Sequence, residues 1–209
     1  MRRVVLALLA AVVLVMAAEA VAATPSLRQI ALTPAQVGPG YRESVIPGGT
    51  KVQGQVTLDL CGYSFPSEQL RVARLQVAYD RTGKAVELSN EVVRYRPGGA
   101  QQALRETAHA ASFCPDHPVP SNVAGLSRVT YRIATFADRR LLPGALGLRV
   151  HFSGTYKGKQ VSATAIVIYQ VKGNVLSGVY TNGGGTVAAQ QALGLHAAVQ
   201  SAKNLRRWA

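Results

Sequence analysis

Apolar and polar residues alternate one for one through much of this chain, a period that sorts onto two faces only in an extended strand. Val56, Leu58 and Leu60 alternate with Gln55, Thr57 and Asp59, and Leu75, Val77 and Tyr79 alternate with Arg74, Gln76 and Asp80. The turn sequence DRTGK then leads to Val86, Leu88, Asn90 and Val92, which alternate with Glu87, Ser89 and Glu91, so the two runs read as a hairpin. Residues 127–136 place Val129, Tyr131 and Ile133 on one face. In the last third, Leu148, Val150 and Phe152 alternate, YKGK turns the chain, 161–171 runs back, KGN turns again, and 175–181 closes a meander. The stretch AIVIY is apolar at every position, which places its strand near the middle of the sheet.

Three segments break this period. Residues 31–41 predict a short helix entered through Thr33 and Pro34, a pair suited to a cap and first turn. Residues 97–114 carry Ala100, Leu104, Thr107, Ala111 and Cys114 at helical spacing. The C-terminal segment carries Ala188, Ala192, Leu195, Val199, Ala202, Leu205 and Trp208 as a stripe, with Lys203, Arg206 and Arg207 in the last turn, where cations suit the helix dipole. Two substantial helices need an apolar surface, and strands with one apolar face supply it. The expectation is an α+β domain in which an antiparallel sheet of about six strands carries its helices on one face.

At the N-terminus, Arg2 and Arg3 precede an uncharged run from Val4 to Ala18, and Ala20-Val21-Ala22 follows as a small-x-small site. That order predicts a secretory signal peptide over 1–22 and a single domain over 23–209. A retained anchor is the alternative, although the run falls short of the roughly 20 residues of a membrane span. The formal charge is +13, and 1–22 carries two arginines against one glutamate, so the remainder holds +12. A basic domain favours anionic partners, such as an anionic small or polymeric ligand, an anionic envelope surface of polymers or phospholipid headgroups, or nucleic acid, and a soluble surface merely rich in arginine is the alternative. No motif for specific nucleic-acid recognition accompanies the charge.

Cys61 and Cys114 are the two cysteines. Cys61 follows an alternating run and Cys114 ends a helical stripe, both facing the expected core. In an exported chain this reads most simply as one disulfide. A nucleophilic reading would require a low-pKa thiol and a histidine base, and CPDHP does set Asp116 and His117 beside Cys114, but a disulfide consumes the thiol. His109, His117, His151 and His196 are scattered, so no metal site and no cofactor is expected. TNGGGT, 181–186, lacks the lysine and spacing of a phosphate loop and reads as a turn with Thr186 as the helix cap.

By parity, Arg74, Arg132, Arg149 and His151 all stand opposite the clearest apolar rows of their strands. If those strands are neighbours, the four residues form a polar face on which guanidinium forks meet carboxylates or phosphates. An ordinary solvated sheet face is the alternative.

LTPAQVGPGY, LDLCGYSFPSE, VVRYRPGGAQQAL ending at SFCP, and the closing meander with its helix resemble the secreted sensor-like proteins of actinobacteria. These are similar to the PknH-type extracellular sensor domain and to related envelope lipoproteins. The resemblance implies an antiparallel sheet with helices, a disulfide, and ligand binding in a cleft without catalysis. The chain departs from it in having one cysteine pair in place of two, no kinase domain and no lipidation cysteine. The functional expectation is therefore a secreted or envelope-associated, non-enzymatic binding domain for an anionic ligand. The alternatives are an envelope hydrolase assembled from distant residues and a structural protein bound to anionic envelope polymer.

Overall fold

The computed structural model describes residues 24–81, 87–121, 125–181 and 185–209. The expected signal peptide, the last three residues of the DRTGK turn, Val86 and the middle of TNGGGT lie outside the described residues.

Two short helices come first among the described residues, α1 (Leu27–Ile30) and α2 (Pro34–Val37). Ser26 caps α1 in a reciprocal box with Gln29, and Thr33 N–H donates to Gln36 Oε1 at 2.9 Å at the start of α2. Strands β1 (Tyr41–Val45), β2 (Arg71–Arg81) and β3 (Leu88–Tyr95) form one antiparallel meander. Helix α3 (Gly99–Ser112) carries the chain to the far edge of the sheet. There β4 (Leu126–Phe136), β5 (Leu146–Tyr156), β6 (Lys159–Lys172) and β7 (Val175–Thr181) step back inward until β7 pairs with β3. The sheet order is β1-β2-β3-β7-β6-β5-β4, antiparallel throughout, and α4 (Val187–Trp208) ends the chain. The fold is α+β, with seven strands among the described residues where about six were expected, and β6 lies next to the central strand as AIVIY required.

The helices do not share one face. On one side α1, α2 and α4 cover Val77, Tyr79, Leu88, Val92, Ile166, Ile168 and Val179. On the other, α3 and the segment around Leu58 to Phe65 cover Val93, Tyr95, Leu148, Val150, Val167 and Leu176. The expectation of helices on one face is thus corrected to three layers. Adjacent residues explain why: Val92 and Val93, Ile166 and Val167, and Ile168 and Tyr169 point to opposite faces and are all buried. A strand apolar on both faces needs cover on both.

The expected strand over 55–60 is irregular chain instead. Its backbone is bound by side chains rather than a ladder: Thr57 N–H donates to Glu68 Oε2 at 3.1 Å, and the Val52 and Gln55 carbonyls accept from Arg71. Leu58 and Leu60 are buried as the alternation required, but Val56 is exposed and Thr57 buried, so the pattern holds only in part, in a segment laid over the sheet face. Cys61 sits in a left-handed turn with Gly62 (φ 60° and 66°), and its disulfide to Cys114 ties that segment to the end of α3.

Helix α4 is also rotated from its expected stripe. Gly194, Ala197, Ala198, Ser201, Ala202 and Leu205 face the sheet, and Ala188 and Ala192 are exposed. Small residues let the helix approach closely: a Cβ on Gly194 would stand 3.2 Å from the Thr181 methyl and 3.3 Å from Ile166. Polar clamps fix the seat. Gln170 Nε2 donates to the Ala198 carbonyl, and Asn204 Nδ2 donates to the Ile30 and Ala31 carbonyls.

Candidate functional site

The four residues expected to form one basic face divide between the two sides of the sheet. Arg74 lies on the α3 side and is buried. Its Nε is ion-paired with Glu91, and its remaining donors go to the Gly48 and Gly49 carbonyls and to Gln76 Oε1. Every direction is used, so Arg74 is a structural cation, and its place in a shared ligand site is corrected. The reason is geometric: the apolar row of β2 faces α4, whereas that of β5 faces α3, so their polar rows point oppositely.

Arg132, Arg149 and His151 do come together on the α4 side. Arg132 stands opposite His151 in the β4–β5 register, and His151 opposite Thr164 in the β5–β6 register. With Ala134 and Val187 they line an open groove of about 410 Å³. Arg149 Nη2 donates to Gln191 Oε1 of α4 at 2.7 Å, and His151 Nδ1 lies 3.1 Å from Thr164 Oγ1.

A second hollow, unforeseen in the sequence, lies on the opposite face of the same strands. Its volume is about 350 Å³, and its floor is Leu148, Val150 and Phe152 of β5 with Ala165, Val167 and Tyr169 of β6. Leu148 to Phe152 and Ala165 to Tyr169 are four steps each, roughly 13 Å at about 3.3 Å per residue, so the hollow is elongated along the strands. Val56, Thr57, Asp59 and Leu60 of the irregular segment form its wall. Ala165 makes the room, being small and directly opposite Val150. The two alanines, Ala163 and Ala165, ahead of Val167 and Tyr169 in the same row are the signal the sequence offered for it.

The polar atoms of this hollow are few. Tyr180 Oη donates to Glu91 Oε2 at 3.2 Å, and Thr57 Oγ1 donates to Glu91 Oε1 at 2.9 Å, so the Arg74–Glu91 pair lies behind the wall. Asp59 accepts from Ser121 Oγ at 2.5 Å. Burial, reinforced by Asp59, pushes the Tyr131 phenol up to about 12, and burial pushes those of Tyr169 and Tyr180 higher still. All three rings are therefore neutral hydrogen-bonding groups at ordinary pH.

No histidine lines the hollow. His109 stacks between Tyr63 and Phe113, His117 is exposed beside Asp116, and His196 Nε2 donates to the Gln36 carbonyl. Among the described residues no three histidine, cysteine, aspartate or glutamate side chains gather as a metal site. No described helix is long and apolar enough to cross a membrane.

The fold is shared with the extracellular domain of PknH from Mycobacterium tuberculosis, at a TM-score of 0.54 over 84% of this chain and 94% of that one. Only 13% of aligned residues are identical, so the likeness is one of fold. No protein-family model and no curated protein matches the chain.

Proposed function

We propose that the chain is an extracytoplasmic, non-catalytic, sensor-like binding domain whose ligand occupies the elongated hollow on the α3 side of β5 and β6. The observation that carries this reading is the lining. A cavity of about 350 Å³ lies at the lower end of small-molecule sites, and its walls are predominantly aliphatic and aromatic with a few polar groups at the margin. Those groups are neutral phenols, the Thr57 hydroxyl and the Asp59 carboxylate. They suit an extended apolar chain ending in a hydroxyl, and Asp59 disfavours an anionic end group.

The lining favours binding over chemistry: among the described residues it offers no imidazole or amine, and its carboxylate, Asp59, accepts from Ser121 Oγ. The fold in common with an extracellular domain, the disulfide and the signal-like N-terminus all favour a place outside the cytoplasm.

An environment-sensitive apolar dye tests the reading. It should bind the protein and be displaced by a straight-chain alkanol more readily than by the carboxylate of the same length. Ala165→Trp, which fills the hollow, should abolish dye binding while circular dichroism stays unchanged. Equal dye binding by a folded Ala165→Trp protein refutes the proposal.

A further inference from the structure

The groove on the α4 side of β4 and β5 is separated from the apolar hollow by the sheet itself, and its chemistry is opposite. We propose that it is a second binding site, for a phosphate group, in which Arg132 and Arg149 supply the charged donors.

The first observation is an absence of counter-ions. Arg28, Arg71, Arg74, Arg81 and Arg140 each form an ion pair with a carboxylate. Arg132 and Arg149 form none among the described residues, which is true of other arginines as well, but these two line one groove. The sequence explains this: β4, β5, β6 and α4 contain no aspartate or glutamate, and after Asp138 the chain has nine lysines and arginines and no acidic residue. Asp138 itself is held by Arg140 through three hydrogen bonds. Two guanidinium groups on neighbouring strands with nothing to neutralise them repel one another. An anion between them removes that cost.

The second observation is placement. Arg149 stands opposite Ala134, and Arg132 opposite His151, so the two arginines are diagonal neighbours on one face. Ala134 is small and exposed, leaving a recess between them. Gln191 holds Arg149 through a neutral carbonyl, which fixes the fork without spending its charge. Thr164 and Ser162 hold the ring of His151 at the side of the recess. Two planar forks lining one groove from neighbouring strands suit an acceptor with several terminal oxygens, which a phosphate monoester presents in a tetrahedral array.

A water-soluble phosphate ester and a phospholipid headgroup share this chemistry, and two assays separate them. The first is calorimetric titration of the full domain at low salt with inorganic phosphate and with glycerol phosphate. The second is co-flotation with vesicles of phosphatidylcholine carrying phosphatidic acid, against phosphatidylcholine alone. Arg132→Gln and Arg149→Gln should each weaken binding about tenfold or more. Arg139→Gln, with the same change in net charge outside the groove, should leave it within about twofold, which excludes a bulk charge effect. Binding of the soluble ester, or of the vesicles alone, supports the site and identifies its source. Binding of neither, or binding that Arg139→Gln weakens as much as Arg132→Gln, overturns it. The apolar dye does not enter this groove, so failure here leaves the reading of the hollow standing, and the converse holds.

Discussion

Arg74 and Glu91 offer the strongest test of how the α3 side is held together. Both side chains are almost wholly buried, 3% and 2% exposed, and the carboxylate also accepts from Thr57 and Tyr180. Arg74→Met keeps the volume of the stem but removes the charge, so the loss is electrostatic rather than a cavity. Breaking one side of a buried ion pair costs about 3–5 kcal/mol, because the surviving ion stays desolvated. The Gly48 and Gly49 carbonyls lose donors at the same time. Against a typical domain stability of about 5–15 kcal/mol, that removes about a fifth or more. At about 2–4 °C per kcal/mol for a chain of this size, the melting temperature should fall by about 6–20 °C.

Adding Glu91→Gln removes the stranded charge and leaves a neutral acceptor for the Thr57 and Tyr180 hydroxyls. The double variant should therefore be more stable than the sum of the two single losses by about 2 kcal/mol or more. Urea denaturation followed by far-ultraviolet circular dichroism, with the disulfide intact, measures all four corners of the cycle. An Arg74→Met loss below about 1 kcal/mol, or additivity within about 0.5 kcal/mol, would refute the reasoning.

Two further outcomes follow from the same structure. Native protein should present no reactive thiol and take up two alkyl groups only after reduction; with Cys61 and Cys114 53 positions apart in sequence, replacing both by serine should cost up to about 4 kcal/mol, and ready labelling of the native protein would contradict the bond. Burial raises the phenols of Tyr79, Tyr95, Tyr169 and Tyr180, and burial with Asp59 raises Tyr131 to about 12, while the unfolded chain ionises its tyrosines near pH 10. Stability should thus be level below pH 10 and fall as pH rises through about 12, and phenolate absorbance from these rings near pH 10 in still-folded protein would argue against it.

Much of the fold was legible because period is a local property. The run 175–181 is β7 to the residue, and Thr186 caps α4 by accepting from Ala189 N–H at 3.2 Å. What the sequence concealed was non-local. Strand β1, YRESV, is an edge strand that pairs with β2 alone, and it carries polar residues on both faces, so no apolar row marks it. Residues 55–60 carry a strand's pattern without its ladder, because Arg71 and Glu68 take the backbone groups that a neighbouring strand would have taken. In α4 the stripe of larger residues was a poor guide, because close approach to the sheet selects small ones.

The arginine face shows where parity stops. Alternation identifies which residues of a strand oppose its apolar row, and it did so correctly for Arg74 and for Arg149. It does not say which layer that apolar row meets. In β2, Val77 and Tyr79 lie under α4; in β5, Leu148 and Val150 lie under the wall that includes Leu60. The two ends of the sheet therefore turn their polar rows to opposite sides. At the β2 end the polar row is roofed by the loop at Gly48 and Gly49, so Arg74 is driven to pair with Glu91. At the β5 end α4 reaches the polar row only through its first turns, at Val187 and Gln191, so Arg149 and Arg132 remain open. The same reversal leaves the apolar row of β5 facing an incomplete wall, with Ala165 too small to fill the gap. An apolar hollow and a cationic groove, back to back on three strands, both follow from that one change of side.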